Sequence, residues 1–175
     1  MREHECIYAL LESRRVTTAQ MFLDRYLPTR KHAAVEEFEF PQLAVSPDAV
    51  FSNSNDLLAR LEADPEQPYS IYWDPVSRSR NERISQGMLM YTKDAALIVG
   101  LAVRPDMIGE MLLDVATTMD SRFALVFGED HPPITQDEFK ALCRSATPPR
   151  IANGIFTEGI DEGQPPGATG GLPHQ

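Results

Sequence analysis

The sequence predicts an α+β fold: a single domain with a meandering, mainly antiparallel sheet packed by about four helices. Three observations predict it. The length of 175 residues fits one domain. Strand-like segments cluster in the middle of the chain and are joined mostly by short links. Amphipathic helical segments lie around them, and an apolar share of 42% supplies the side chains of a core.

Capping chemistry and a 3.6-residue period mark the helices. Thr17 with Gln20 and Thr135 with Glu138 match the capping box, and Pro105 suits a first helical position. The predicted helices span residues 17–26, about 53–62, 105–119 and about 136–147, with a further helix near residues 6–13. Their predicted buried stripes include Ala19, Phe22, Leu23, Tyr26 and Leu27; Leu57, Leu58 and Leu61; Met111, Leu112 and Val115; and Phe139, Leu142 and Cys143.

The strands are predicted between these helices. They span residues 34–40, 69–73, 87–92, 96–103 and 122–127. Lys93 and Asp94 form a short polar break that reads as a hairpin turn. The segment from Leu97 to Val103 is apolar on both faces, which predicts a central strand covered on both sides.

The last 25 residues differ in composition from the rest of the chain. Residues 151–175 hold six of the ten glycines and three of the fourteen prolines, and no Lys or Arg. A segment without helical or strand period cannot bury enough surface to offset its ordering entropy. We therefore expect a globular domain over residues 1–150 and a mostly disordered Gly/Pro-rich tail over 151–175, of which residues 151–156 can still dock on the body.

Charge and composition exclude several classes of function. With 16 basic against 26 acidic side chains the net charge is -10, which disfavours nucleic-acid binding through phosphate contacts. No apolar run approaches the roughly 20 residues that span a bilayer, so no membrane association is expected. The charged start of the chain lacks the apolar core of an export signal, which predicts a cytoplasmic protein.

The sequence offers no familiar catalytic or metal-binding motif. The four histidines are not spaced to share a metal, and neither a phosphate-binding glycine loop nor a G-x-S-x-G motif occurs, so we expect no metal, no cofactor and no catalytic residues. Cys143 with His131 stays open as a nucleophile pair, although the apolar helix face favours a structural thiol. Glu129, Asp130 and His131 form either an acid–base group or a solvated loop suited to contacting a partner.

Two further segments favour contacts with another protein. On the strand around Tyr72, alternation places Trp73 on the core face and Tyr72 with Asp74 on the other face, where an aromatic ring and a carboxylate suit an interface. Residues 36–75 hold nine acidic side chains against Arg60 alone, a local net charge of -8. Such a block would steer a basic partner, whereas the plain alternative is a solvated face.

The chain also resembles immunity proteins encoded beside bacterial polymorphic or secreted toxins. The resemblance runs over about residues 20–145 and rests on Phe22-Leu23 with Leu27-Pro28, Phe38-x-x-Pro41-Gln42, Tyr69-x-x-Tyr72-Trp73, Met88-x-x-Tyr91-Thr92-x-Asp94, Leu97-Ile98-x-Gly100-Leu101 and Glu129-x-x-Pro132-Pro133. It implies a small, non-enzymatic protein that binds one toxin. In such proteins the turn after the aspartate is often Asp-Gly, whereas Ala95 takes the glycine position here.

These observations lead to one main hypothesis and two alternatives. The main hypothesis is a non-enzymatic immunity protein that occludes the active site of a cognate toxin, for example one with a basic cleft. Its expected contact residues are Glu37, Glu39, Tyr72, Asp74, Glu129 and Asp130. The first alternative is an enzyme or small-ligand-binding protein with a site near Trp73, Glu129 and His131. The second is a secretion or stress adaptor that uses the tail as a tether.

Overall fold

The computed structural model describes residues 4–33, 37–76, 83–128, 132 and 135–159. The strands are β1 (Glu5–Leu11), β2 (Arg30–His32), β3 (Phe38–Phe40), β4 (Ala49–Phe51), β5 (Tyr69–Pro75), β6 (Ile84–Tyr91), β7 (Leu97–Val103), β8 (Ala124–Val126), β9 (Arg150–Ala152) and β10 (Ile155–Thr157). The helices are α1 (Val16–Tyr26), α2 (Ser54–Ala63), α3 (Ile108–Thr118) and α4 (Gln136–Ser145), and a 3-10 turn at Pro105–Met107 leads into α3.

Eight strands form one sheet in the order β10-β9-β8-β1-β7-β6-β5-β2, and β3 and β4 form a separate two-stranded ribbon. Every described strand pair is antiparallel. Strands β5, β6 and β7 follow one another as neighbours, which is the predicted meander. The predicted single-domain α+β fold is therefore confirmed.

Strand β1 corrects one prediction. Residues 6–13 were expected to be helical, but Glu5–Leu11 lies between β7 and β8 near the centre of the sheet. Its residues from Ile7 to Leu11 are all buried, because both faces of the sheet are covered. A strand buried on both faces has a continuous apolar run, which periodicity alone cannot distinguish from a short buried helix.

The sheet separates two apolar layers of unequal size. The larger layer packs α1, α2 and α3 against one face, and it includes the predicted buried stripes of these helices. The smaller layer packs α4 against the other face through Phe139 and Cys143, which meet Tyr8, Leu10 and Leu125. Strand β7 contributes to both layers and is buried along its whole length, as predicted for a central strand.

The two predicted capping boxes have different outcomes. At α4 the Thr135 side chain accepts a hydrogen bond from the Glu138 backbone N–H, so this cap forms as predicted. At α1 the prediction is wrong, because the helix begins at Val16 and no side chain of its own first turn caps it. The Val16 N–H instead donates to a carboxylate oxygen of Glu62 on α2 at 3.0 Å. A partner that is distant in sequence thus supplies the cap.

The chain end holds a hairpin at the edge of the sheet. Strands β9 and β10 are joined by Asn153 and Gly154, which both have positive φ, as a two-residue type I′ turn requires. Strand β9 also pairs with β8. Residues 150–157 thus form a hairpin at the sheet, and this hairpin includes residues 151–156, which were expected to be able to dock on the body; residues 160–175 lie outside the described part. No helix in the described part is long and apolar enough to cross a membrane.

Candidate functional site

The β3–β4 ribbon presents a predicted contact residue on its outer surface. Phe38 and Phe40 are buried in the larger apolar layer, and Glu39 between them is exposed because successive strand residues point to opposite sides. Glu39 lies opposite Val50 on β4, and Val50 is also exposed. Glu37 immediately precedes the strand and is exposed as well.

Aromatic contacts fix the ribbon to the body. The ring of Phe40 stacks on Tyr69 of β5 with 6.4 Å between centroids, and the Arg60 guanidinium of α2 lies 4.7 Å from the centre of the same Phe40 ring. The Tyr69 hydroxyl donates to the backbone carbonyl of Glu39 at 2.8 Å. Burial, and to a lesser extent the nearby Glu39 carboxylate, raises the pKa of Tyr69 to about 12. The Tyr69 hydroxyl therefore keeps its proton at neutral pH. These contacts with β5 and α2 therefore hold the ribbon against the body of the protein.

The loop between the two ribbon strands, residues 41–48, is fixed at both ends. Near its start the Gln42 side chain accepts from the Ser70 N–H at 2.8 Å and donates to the Ser70 carbonyl at 2.9 Å, as a neighbouring strand would at the open edge of β5. At its end the Asp48 N–H donates to the Phe40 carbonyl at 2.8 Å. Between these anchors the side chains of Leu43 and Val45 are almost fully exposed.

The acidic charge of this region has no ionic partner among the described residues. The ion pairs among the described residues join Arg25 to Asp114, Arg30 to Asp24 and Arg104 to Asp106. None of these carboxylates belongs to residues 37–74. Arg60, the one basic side chain of the acidic block, lies against the Phe40 ring instead. The ribbon thus carries Glu37, Glu39 and Asp48 as exposed charges that are available to a partner.

The four predicted contact residues that the structure describes do not come together as one surface. Glu37 and Glu39 belong to the ribbon, which packs on the larger apolar layer, whereas Tyr72 and Asp74 project from the opposite face of β5. The predicted alternation along β5 is confirmed, since Tyr69, Ile71 and Trp73 are buried and the residues between them are half-buried. Glu129 and Asp130 lie outside the described residues.

Tyr72 and Asp74 have neighbours that reduce their availability. Tyr72 is half-buried against the smaller apolar layer. The Asp74 carboxylate lies 3.5 Å from the Gln86 side-chain nitrogen, and Lys31 of β2 is its cross-strand partner. Residues opposite each other in an antiparallel pair share one face, so a positive charge accompanies this carboxylate. The ribbon is therefore the better candidate for a surface with unbalanced negative charge.

The enzyme alternative requires Trp73 to reach a cavity, and its burial argues against this. Trp73 is 2% exposed in the larger apolar layer, with its ring 5.5 Å from that of His32. Pro132, which follows His131 in sequence, lines a cleft with Ser70 and Met90, whose side chains project from the other face of the sheet. Glu129 and His131 themselves lie outside the described residues.

Described residues line three of the surface clefts. The largest of these three, about 460 Å³, is mainly apolar and lies beside α4, where Phe127, Leu142 and Pro148 line it. A cleft of about 370 Å³ lies near Glu12 and Asp120, and the one beside Pro132 measures about 270 Å³. None of the three combines a histidine or cysteine with a carboxylate among its described lining residues.

Cys143 has the surroundings of a structural thiol. It is completely buried in the smaller apolar layer beside Phe139. Burial raises the pKa of Cys143 to about 12, against the opposing effect of Arg144 and Arg150, whereas a nucleophilic cysteine needs a lowered pKa. Among the described residues no group of three or more His, Cys, Asp or Glu side chains is placed to hold a metal ion.

Comparison of the chain with protein-family models, with curated proteins and with solved structures finds no significant match. Functional inference therefore rests on the site itself.

Sequence reasoning identified Glu37 and Glu39 from the charge block, but it missed the exposed apolar side chains of Leu43, Val45 and Val50 beside them. A loop is marked here by Pro41 and Pro47, together with Gln42 and Ser46. Apolar residues inside a loop are the signal that could have identified these exposed side chains.

Proposed function

We propose that this protein is a non-enzymatic binding protein that neutralises a cognate toxin by covering its active site. The observation that supports the proposal most strongly is the β3–β4 ribbon, whose exposed Glu37, Glu39 and Asp48 have no ionic partner among the described residues. An unbalanced acidic surface on a rigid support complements a basic cleft. The resemblance to immunity proteins supplies the class of partner.

The charge of the whole chain supports the same mechanism. A protein with a net charge of -10 attracts a basic partner at long range and accelerates the encounter, and the ribbon then fixes its orientation. Enzymes that act on nucleic acids or nucleotides bind anionic substrates, so a basic cleft is expected in a toxin of that kind. The proposed compartment is the cytoplasm, where such substrates occur.

Occlusion needs no chemistry from this chain. The ribbon is held by the Phe40–Tyr69 stack and by the Gln42–Ser70 hydrogen bonds, so little ordering entropy is lost when a partner binds. Its carboxylates would occupy the positions of substrate phosphates in the cleft, and the body behind them would exclude the substrate. Inhibition would therefore be stoichiometric and reversible.

Co-expression tests the proposal. The protein encoded by the neighbouring gene is produced in a host cell from an inducible promoter, with and without the full chain described here. The proposal predicts growth arrest by the neighbour alone and normal growth when both proteins are present. A chain with Glu37→Lys and Glu39→Lys, produced at the same level, serves as the control and is expected to protect poorly. A toxic neighbour that the wild-type chain does not relieve would contradict the proposal.

A further inference from the structure

Three of the exposed apolar side chains of the described part lie in one short segment. Seven large apolar side chains of the described part are exposed, namely Met21, Leu43, Val45, Val50, Val76, Leu113 and Ile155. Three of them fall between residues 43 and 50, and the two most exposed are Leu43 at 91% and Val45 at 103%. Scattered single exposed residues are ordinary, whereas a cluster beside polar residues is typical of an interaction site.

Leu43 adopts a backbone conformation that disfavours its own side chain. Its φ is +61°, in the left-handed region where a leucine costs about 1–2 kcal/mol relative to the usual conformation. Asparagine or glycine would fit this position better. Because the Leu43 side chain is 91% exposed, packing within the chain contributes little to offset the strain. A strained backbone that presents an apolar side chain to solvent does not stabilise the fold, so it supports the hypothesis of a functional role.

We infer that the 41–48 loop is the specificity-determining part of the binding surface, with Leu43 and Val45 inserting into an apolar socket on a protein partner that is rimmed by Lys and Arg. This inference rests on the proposed function and names the surface that performs it. The apolar pair supplies the desolvated centre, and Glu37, Glu39 and Asp48 supply the charged rim. In protein interfaces the desolvated apolar centre carries most of the binding energy, and a polar rim surrounds it.

Charge decides which occupant fits this surface. The carboxylates around the loop repel nucleic acid and anionic lipid, and a second copy of a chain with net charge -10 would bring the same acidic surface against itself. A basic protein surface is the occupant that the rim attracts. The anchoring of the loop at Gln42 and Asp48 keeps it in one shape before contact, which favours a preformed socket.

The test uses a displayed library of genomic fragments from the organism that carries this gene, selected against the immobilised full-length wild-type chain. Enriched fragments are then titrated against Leu43→Asn, Val45→Asp and the matched control Ile155→Asp, which changes an exposed apolar side chain on β10. Thermal melting checks each fold. Asparagine tolerates the left-handed conformation, so Leu43→Asn is expected to melt at or above the wild-type temperature.

The expected result is a loss of affinity of about tenfold or more for Leu43→Asn and Val45→Asp, and a change within about twofold for Ile155→Asp. The inference would be overturned if the enriched fragments bound all variants equally. It would also be overturned if no fragment were enriched on the wild type relative to Leu43→Asn. Dimerisation of the wild type that either loop variant abolishes would also overturn it, because a second copy would then be the occupant. The identity of the fragments separately tests the proposed function, since loop-dependent fragments that belong to no toxin would refute that function alone.

Discussion

The guanidinium of Arg14 lies over the ring of Tyr91, with 5.0 Å between the Arg14 Cζ atom and the ring centroid. Arg14 is only 5% exposed, and its nitrogens donate to five backbone carbonyls. These belong to Leu61, Asp64, Pro65, Gln67 and Thr92. One side chain therefore joins the loop after β1 to the last turn of α2, to the segment that follows α2 and to the β6–β7 turn. Burial lowers the pKa of Arg14 from its ordinary value.

The first prediction concerns this cluster of hydrogen bonds. Arg14→Met should lower the free energy of unfolding by about 3–5 kcal/mol, because it leaves buried carbonyls without donors. Arg14→Lys should also destabilise, since a lysine cannot reproduce the planar fork. The neighbouring Arg15 is exposed, so Arg15→Met is the matched control and should stay within about 0.5 kcal/mol. Urea denaturation measures all three variants, and equal midpoints for Arg14→Met and Arg15→Met would contradict the prediction.

The second prediction compares two glycines. A Cβ atom at Gly100 would lie 2.6 Å from two ring atoms of Tyr8 and 3.1 Å from the Met88 methyl carbon, whereas a Cβ at Gly109 would meet nothing within 4 Å. Gly100→Ala should therefore destabilise by about 1–3 kcal/mol through overpacking. Gly109→Ala, within α3, should stabilise by up to about 1 kcal/mol.

Thermal melting distinguishes the two glycine variants directly. The melting temperature should fall for Gly100→Ala and rise for Gly109→Ala, because the same added methyl group meets a buried ring in one case and open space in the other. A rise for Gly100→Ala would show that Tyr8 can move away from β7 at no cost. That outcome would contradict the packing described for the smaller apolar layer.

The third prediction concerns the thiols. Cys143 is fully buried with its pKa raised to about 12, whereas Cys6 is half-buried. Iodoacetamide at pH 8 should leave Cys143 unmodified in the native protein and label it quickly in urea, as peptide mass spectrometry can show. Rapid native labelling of Cys143 that persists below pH 7 would indicate an activated thiolate. It would favour the enzyme alternative over the binding protein.

Much of the fold was predictable because local patterns and tertiary packing agree. The buried stripe of Leu57, Leu58 and Leu61 follows from helical periodicity, and the two-sided burial of β7 follows from its unbroken apolar run; both are confirmed. Ala95 has a positive φ, a conformation that glycine adopts more readily than alanine. The hairpin at β9–β10 was missed although Asn153-Gly154 is a strong turn signal, because the composition of the whole terminal segment outweighed a two-residue pattern.

The candidate site was only partly predictable. Charge counting located Glu37 and Glu39, but sequence spacing does not show that Tyr72 and Asp74 project from the other face of the sheet. Nor was the exposure of Leu43 predicted, although the prolines and polar residues around it mark a loop. Both facts depend on how the ribbon folds over β5, which is set by the Phe40–Tyr69 contact between segments about 30 residues apart in sequence.

The most direct test of the account is a calorimetric titration of the neighbouring gene's product with Glu39→Lys, Asp74→Lys and Glu110→Lys at two salt concentrations. Glu110 is exposed on α3, so its variant makes the same change in net charge away from the ribbon. We expect the affinity of the wild type to fall with salt, Glu39→Lys to weaken binding by about tenfold or more, and the other two variants to stay within about twofold of the wild type. Unchanged affinity for Glu39→Lys without salt dependence, or no binding at either concentration, would contradict it.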